Sequence, residues 1–585
     1  MIQAQTPPPP PCGTAPVCTW TLNGWFNNIA PQPAGNNEVV FVAPYNSTGS
    51  LFACSVSVLG NIVVTFNPGH TLYCVNSLFV QNSNIGENAR LIFENGASLV
   101  QTNPFAVNTG SIEYRRNTNL ETTYDFTYFC SPVRDQMLLT IDRIVENMDA
   151  INGNLSGTGT AVTAPLGSNP YQTTFFDKYF DWINEGVPNR PTTQFTFNSM
   201  GQQTNWHWNV ASTTNMNPAG KGFNIRAPKS FQEAAGPLPY LTNFIGVPNN
   251  GDVSIAVQGQ PYPIANDLNN SSGSCAYPLF TDKTTNLIGN PYPSAIDADS
   301  FLMTNFDLID YPLRFWSHNT QVSSLNPGGV NGQIFAYNND DFALYTLLGG
   351  IATQRYFNLG PASAVVNTNR PTGKITACQG FFAHTIANGN INFDNTMRDG
   401  AGNNKSGQGG SFYRTAAPAM IGSLEKNRIW LSIEEVDPQS TILKYREILV
   451  GYMPNSQATN AYDKNFDAYK FTNAPQFNLY SLTNSNNNCY PLAIQARAQG
   501  TTFDVNDVIP LGYRCNAGTF IIRAATVDGI FGGSTPAQKF WLREKITVSG
   551  IITFNYYDLK TTPFNLNLTI SMTADNTDQF AIVFS

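Results

Sequence analysis

Charge is what this chain has least of. Charged residues make up 12% of its 585 positions, about half the share of an average soluble domain. The net charge is −8, with a pI near 5.1. No basic patch stands out, which argues against nucleic acid as a partner. Histidine is scarce: the four residues (70, 207, 318 and 384) lie far apart, and no CxxC occurs among the nine cysteines. That pattern lacks the spacing of a zinc site. No apolar run reaches eighteen residues, so no transmembrane helix is expected. GxSxG, HExxH, P-loop and Rossmann fingerprints are all missing. The expectation is a non-enzyme with no catalytic residues and no required cofactor.

Asparagine, threonine, glycine and proline are plentiful instead, and aromatics reach 12%. Asn, Gly and Pro form turns and make poor helices. Together these features predict an all-β protein of many short strands and tight turns. A chain this long exceeds one core and divides into several domains.

The N-terminus, MIQAQTPPPPPCG, lacks the basic stretch and apolar core of a signal peptide. Two readings stand: the tail of a truncated signal with a mature start near Gln5 or Thr6, or a cytosolic protein. The composition favours the first. Residues 1–16 form a Pro-rich arm, with Pro7 to Pro11 extended. Residues 17–120 carry closely spaced short strands, such as EVVFVAP, NIVVTFN and ARLIFENGASLVQT. They predict a β-solenoid or β-roll. Cys54 and Cys74 lie twenty residues apart. A coil of about that length would stack them roughly 4.8 Å apart, bridged or in contact. Cys12 and Cys18 form a second candidate pair.

Residues 121–285 and 286–398 read as two copies of one β-unit. The first runs YDFTYFCSPV, KYFDW, AGKGFNIRAP; the second runs NLIGNPYP, LRFWSH, ACQGFFAHT. Pro132 lies 90 residues before Gly222, and Pro293 lies 87 before Gly380. Two such units packed together would bury their aromatic faces against each other. Helical spacing marks residues 136–150 and a shorter helix at 295–305. Ser294, three residues before Asp297, has the spacing of a capping box for the latter. Residues 399–417 have linker composition. Residues 418–585 hold nine alternating strand-like runs, the pattern of a β-sandwich.

These segments, taken in order, resemble a family. FCSPV, GKGFNIRAP, FIGVPNNG, NLIGNPYPSAIDADSF, RFWSHN, CQGFF, NRIWLSI, LVGYM, YDKNFDA, LAIQARA, VIPLGY and DQFAIVFS look like the large surface proteins of Bacteroidetes, exported by the type IX secretion system. The resemblance implies an extracellular or cell-surface address and the type IX translocon as a partner during export. Members generally end in a further sorting domain, which does not follow DQFAIVFS here.

Candidate ligand positions are few. Asp340 and Asp341, in an Asn-Asn-Asp-Asp run, offer hard oxygens suited to calcium; a polar turn is the simpler reading. Asp297 and Asp299 suit a helix N-terminus. Trp206 and Trp208 share one face of a strand and are the candidate recognition surface. His207 and His318 sit beside tryptophans as core-edge or surface residues. Glu434 and Glu435 alternate across a strand and cannot form a one-sided dyad. The leading expectation is an adhesin or structural subunit that self-assembles into a filament or surface layer. A carbohydrate-binding protein making glycan contacts is the alternative, and a hydrolase with an unrecognised site the third.

Overall fold

A computed structural model describes residues 13–120, 126–136, 218–226, 238–261, 285–317, 341–353, 370–404 and 426–585, apart from short breaks. It adds isolated strand segments between 179 and 278. The protein is all-β: strands dominate, and Ala298–Thr304 is the one α-helix among the described residues. The helix expected at 136–150 falls, from residue 137 on, outside them.

Short β-branched strands bounded by Asn and Gly cannot bury both faces alone, so they stack. In the first 120 residues they form three parallel columns. One contains Cys18–Thr21, Glu38–Phe41, Ser55–Val58 and Leu78–Val80. The second contains Tyr45–Asn46, Val63–Phe66, Arg90–Phe93 and Ile112–Leu120. The third contains Leu51–Ala53, Thr71–Cys74 and Ser98–Gln101. The step between stacked residues varies, from 17 positions (Val39 to Val56) to 27 (Leu72 to Leu99). Val39, Val56, Leu72, Leu91 and Leu99 fill the interior. Phe66 stacks on Phe93 at 5.3 Å, with Tyr114 next at 6.0 Å.

The two following units share one topology. Phe126–Cys130 pairs antiparallel with Gly222–Arg226, placing Cys130 opposite Gly222. Thr285–Gly289 pairs likewise with Gly380–His384, placing Gly289 opposite Gly380. Each Gly-Phe strand also pairs with an aromatic strand, Tyr179–Trp182 or Leu313–Trp316. Phe126, Tyr128, Leu287, Trp316, Phe342 and Phe382 form one buried aromatic cluster between the units, with Phe126 stacked on Trp316 at 4.6 Å.

The C-terminal strands make one eleven-stranded sheet. It curls so that strands from both ends share a core, including Leu431, Val450, Phe520, Leu542 and Ile582. Alternation then decides the packing. Ile429, Leu431 and Ile433 enter that core, while Trp430 points the other way, into a core shared with residues 257–397. Its indole N–H donates to the Gly350 carbonyl at 2.9 Å.

Residues 399–404, read from composition as the start of a linker, are docked. Asn403 is fully buried. Its amide donates to the Ala97 carbonyl, the Ser98 hydroxyl and the Tyr114 hydroxyl at 2.9–3.1 Å.

Candidate functional site

Two prolines in Asn290-Pro291-Tyr292-Pro293 lack backbone donors and end the strand Thr285–Gly289. The corner that results is densely bonded. Asn290 is fully buried. Its amide donates to the carbonyls of Ser294 (2.8 Å), Ile375 (3.1 Å) and Thr376 (3.1 Å). Its side-chain oxygen accepts from Tyr292 N–H at 3.0 Å. Tyr292 is also fully buried and donates to the Gly251 carbonyl at 2.6 Å. The Arg398 guanidinium lies 4.9 Å over its ring. Arg398 continues to the Leu99 carbonyl (2.6 Å) and the Asn250 side chain (3.1 Å). The Asn249 amide reaches the Pro291 carbonyl at 2.8 Å, and Leu99 N–H donates to the Pro293 carbonyl at 2.7 Å.

One corner thus joins the stacked parallel strands, the 249–251 loop and the strand pair Arg398–Asp399. Close approach of backbones completes it. A Cβ on Gly289 would collide with the Cβ of Cys130 and sit 2.8 Å from the Gln379 carbonyl. Cys130 N–H donates to the Cys378 carbonyl at 2.9 Å. Burial pushes the Cys130 and Cys74 thiols up to about 12, and the Cys378 thiol well above its usual range. Thiols held protonated in this way are poor nucleophiles. Burial also draws the Arg398 guanidinium down to about 10. The polar groups of the corner are engaged in holding backbone, so its chemistry is that of a joint.

The helix that follows corrects one expectation. Ala295–Asp297 is a short strand and the helix begins only at Ala298, three residues later than the expected start, so the fully buried Ser294 lies too far back to cap it. Asp297 is the N-cap, accepting from Ser300 N–H at 2.8 Å. Asp297 also pairs with Lys374 at 2.7 Å, and Asp299 with Lys426 at 3.0 Å. Glu434 and Glu435 face opposite sides, paired with Arg523 (2.7 Å) and Lys444 (2.6 Å).

The remaining candidates scatter. Asp340 lies outside the described residues. Asp341 is fully buried, and its carbonyl accepts from Ser317 N–H at 2.8 Å. Among the described residues, no three His, Cys, Asp or Glu side chains gather as a metal site would require. Trp206 lies outside the described residues. Trp208 opens the strand Trp208–Val210 and pairs with Trp182.

The bridged form of the cysteine pairings is overturned, while Cys54 and Cys74 are in contact. Cys74 and Cys18 are both free, buried thiols. The register places Ala53, not Cys54, opposite Cys74, because Cys54 has already left its strand. The two residues are neighbours nonetheless: the Cys74 thiol points at the Cys54 carbonyl at 3.7 Å. Cys12 lies outside the described residues.

The residues missed by sequence reasoning are Asn249, Asn250, Arg398 and Asn403. A signal existed for the first two, since VPNNG and GNPYP both follow an apolar strand ending in Gly. No helix among the described residues is long and apolar enough to cross a membrane.

No curated protein and no solved structure matches the chain significantly. A model described as a domain of unknown function, DUF8693, matches residues 18–151 and 161–584. That match spans nearly the whole chain, and the protein therefore belongs to the DUF8693 family.

Proposed function

We propose that this protein is a non-enzymatic, exported cell-surface component, an adhesin or structural subunit that works by rigid display. The observation that carries this reading is the use of its buried ionisable groups. Among the described residues, the closest of these pairs tie separate strands and loops together. Arg370 pairs with Glu447 at 2.5 Å, Lys470 with Asp575 at 2.8 Å, and Arg497 with Asp507 at 2.5 Å. Arg428 is bonded to Asp528. Each pair links separate segments, which suits a load-bearing stack.

Export through the type IX system is the address that the sequence resemblance supports. Self-association into a filament or layer would multiply weak contacts into firm attachment. Electron microscopy of the purified protein tests the reading. Rods, filaments or sheets are expected. Isolated particles at high concentration, combined with tight binding on a glycan array, would replace it with a carbohydrate-binding role.

A further inference from the structure

The C-terminal sheet ends on an edge of unusual composition. Its last hairpin joins Phe540–Val548 to Ile551–Tyr557. The turn residues Ser549 and Gly550 have φ of 52° and 82°, the left-handed pair of a two-residue hairpin. The inner strand is supported by Asn576–Phe584 only along Phe540–Glu544. The distal half of the hairpin therefore projects beyond its neighbour. Among the described residues, no strand pairs with the outer side of Ile551–Tyr557.

This edge has none of the usual protection. Natural edge strands carry Lys, Pro or bulges that discourage pairing. Ile551-Ile552-Thr553-Phe554-Asn555-Tyr556-Tyr557 has no charge, no proline and an unbroken register. Ile551, Ile552, Phe554 and Tyr556 are 43–68% exposed. A two-stranded ribbon with apolar groups in water on both faces is marginal by itself.

We propose that this strand is a homotypic docking edge, pairing antiparallel with the same strand of a second copy of the chain. The geometry fixes the register. Val548 and Ile551 close the turn as a hydrogen-bonded pair, so bonded and non-bonded pairs alternate from there. Ile552, Phe554 and Tyr556 consequently turn their backbone N–H and C=O groups to the open side. Centring the two-fold axis on Phe554 pairs Phe554 with its own counterpart and Ile552 with Tyr556 of the second copy. Aromatic with β-branched is a favourable cross-strand combination. The match is self-complementary, as a two-fold interface requires. It brings no like charges opposite each other, since the strand carries none. A partner recognised by charge would find nothing to pair with on this strand, and this favours a second copy as the occupant.

The inference rests on the self-association in the proposed function and names one of its surfaces, a two-fold contact that alone closes a dimer and needs a second contact to extend it. An edge this short belongs among small interfaces, so association is expected at micromolar concentration. Sedimentation velocity across a concentration series tests it, using the full chain and two variants. Phe554→Lys sets two ammonium groups against each other on the axis. Phe554→Pro removes an outward N–H while leaving the bonds to the inner strand intact. Both should raise the dissociation constant at least tenfold, with circular dichroism unchanged. If the unaltered chain associates and both folded variants associate equally well, this edge is wrong while self-association stands. If the unaltered chain stays monomeric at all concentrations, the edge and the assembly reading fail together.

Discussion

The Asn290–Ser294 corner and the Ile551–Tyr557 edge treat polarity in opposite ways. At the corner, polar side chains are inside and fully bonded. At the edge, apolar side chains are outside. The first arrangement costs little because each buried group has its partner. The second leaves apolar surface in water, which points to a surface waiting for cover. The protein has placed its polar residues where the fold must not vary and its apolar ones where another molecule can add.

Breaking the corner should have the largest effect. Tyr292→Ala removes a buried ring, its bond to Gly251 and the platform under Arg398. Chemical denaturation should register a loss of about 3–5 kcal/mol. Gly289→Ala forces a methyl group into Cys130, and should cost about 1–3 kcal/mol through overpacking. If that variant unfolds at the unaltered midpoint, the close approach at the corner is not a constraint.

A pH scan probes the same sheet as the corner. His384 is fully buried beside Tyr311, and burial, reinforced by the Arg314 charge, holds its imidazole well below the usual range. Because the folded value is depressed, its contribution is complete above about pH 6.5 and is lost as the pH falls. Stability should drop by up to about 1.4 kcal/mol per pH unit below that point. His384→Gln should flatten the slope between about pH 6.5 and 5; an unchanged slope would assign the acid sensitivity elsewhere.

The smallest effect is expected at the edge. Phe554→Lys should shift the unfolding free energy of the monomer by no more than about 0.5 kcal/mol, measured below the association range. A large loss would mean that the hairpin's own fold depends on this position, through the ring's contact with Arg543, 4.8 Å away, or through repulsion of the new ammonium by Lys545 directly opposite.

Much of the β-architecture was legible. Alternation in NRIWLSI placed Ile429 and Trp430 on opposite faces, as the two cores confirm. The double proline marked the corner. What local pattern could not supply was register and long-range partnership. Cys54 and Cys74 have a coil's spacing, yet a one-residue offset put Ala53 in the ladder. Asn403 sits in a run that reads as flexible by composition, and only its partners near residues 97–114 make it rigid. The Ile551–Tyr557 strand has the look of sheet interior. Its exposure follows from its place as the last strand of the sheet, which nothing in IITFNYY announces.

The bonds of Asn403 reach back 305 positions to Ser98 and 289 to Tyr114. Contacts between such remote segments slow folding, because a long span must be closed before they form. The opening layers of the molecule therefore cannot be sealed until Asn403 has been made. A nascent chain would carry its first strands unsealed while the 305 positions from Ser98 to Asn403 are added.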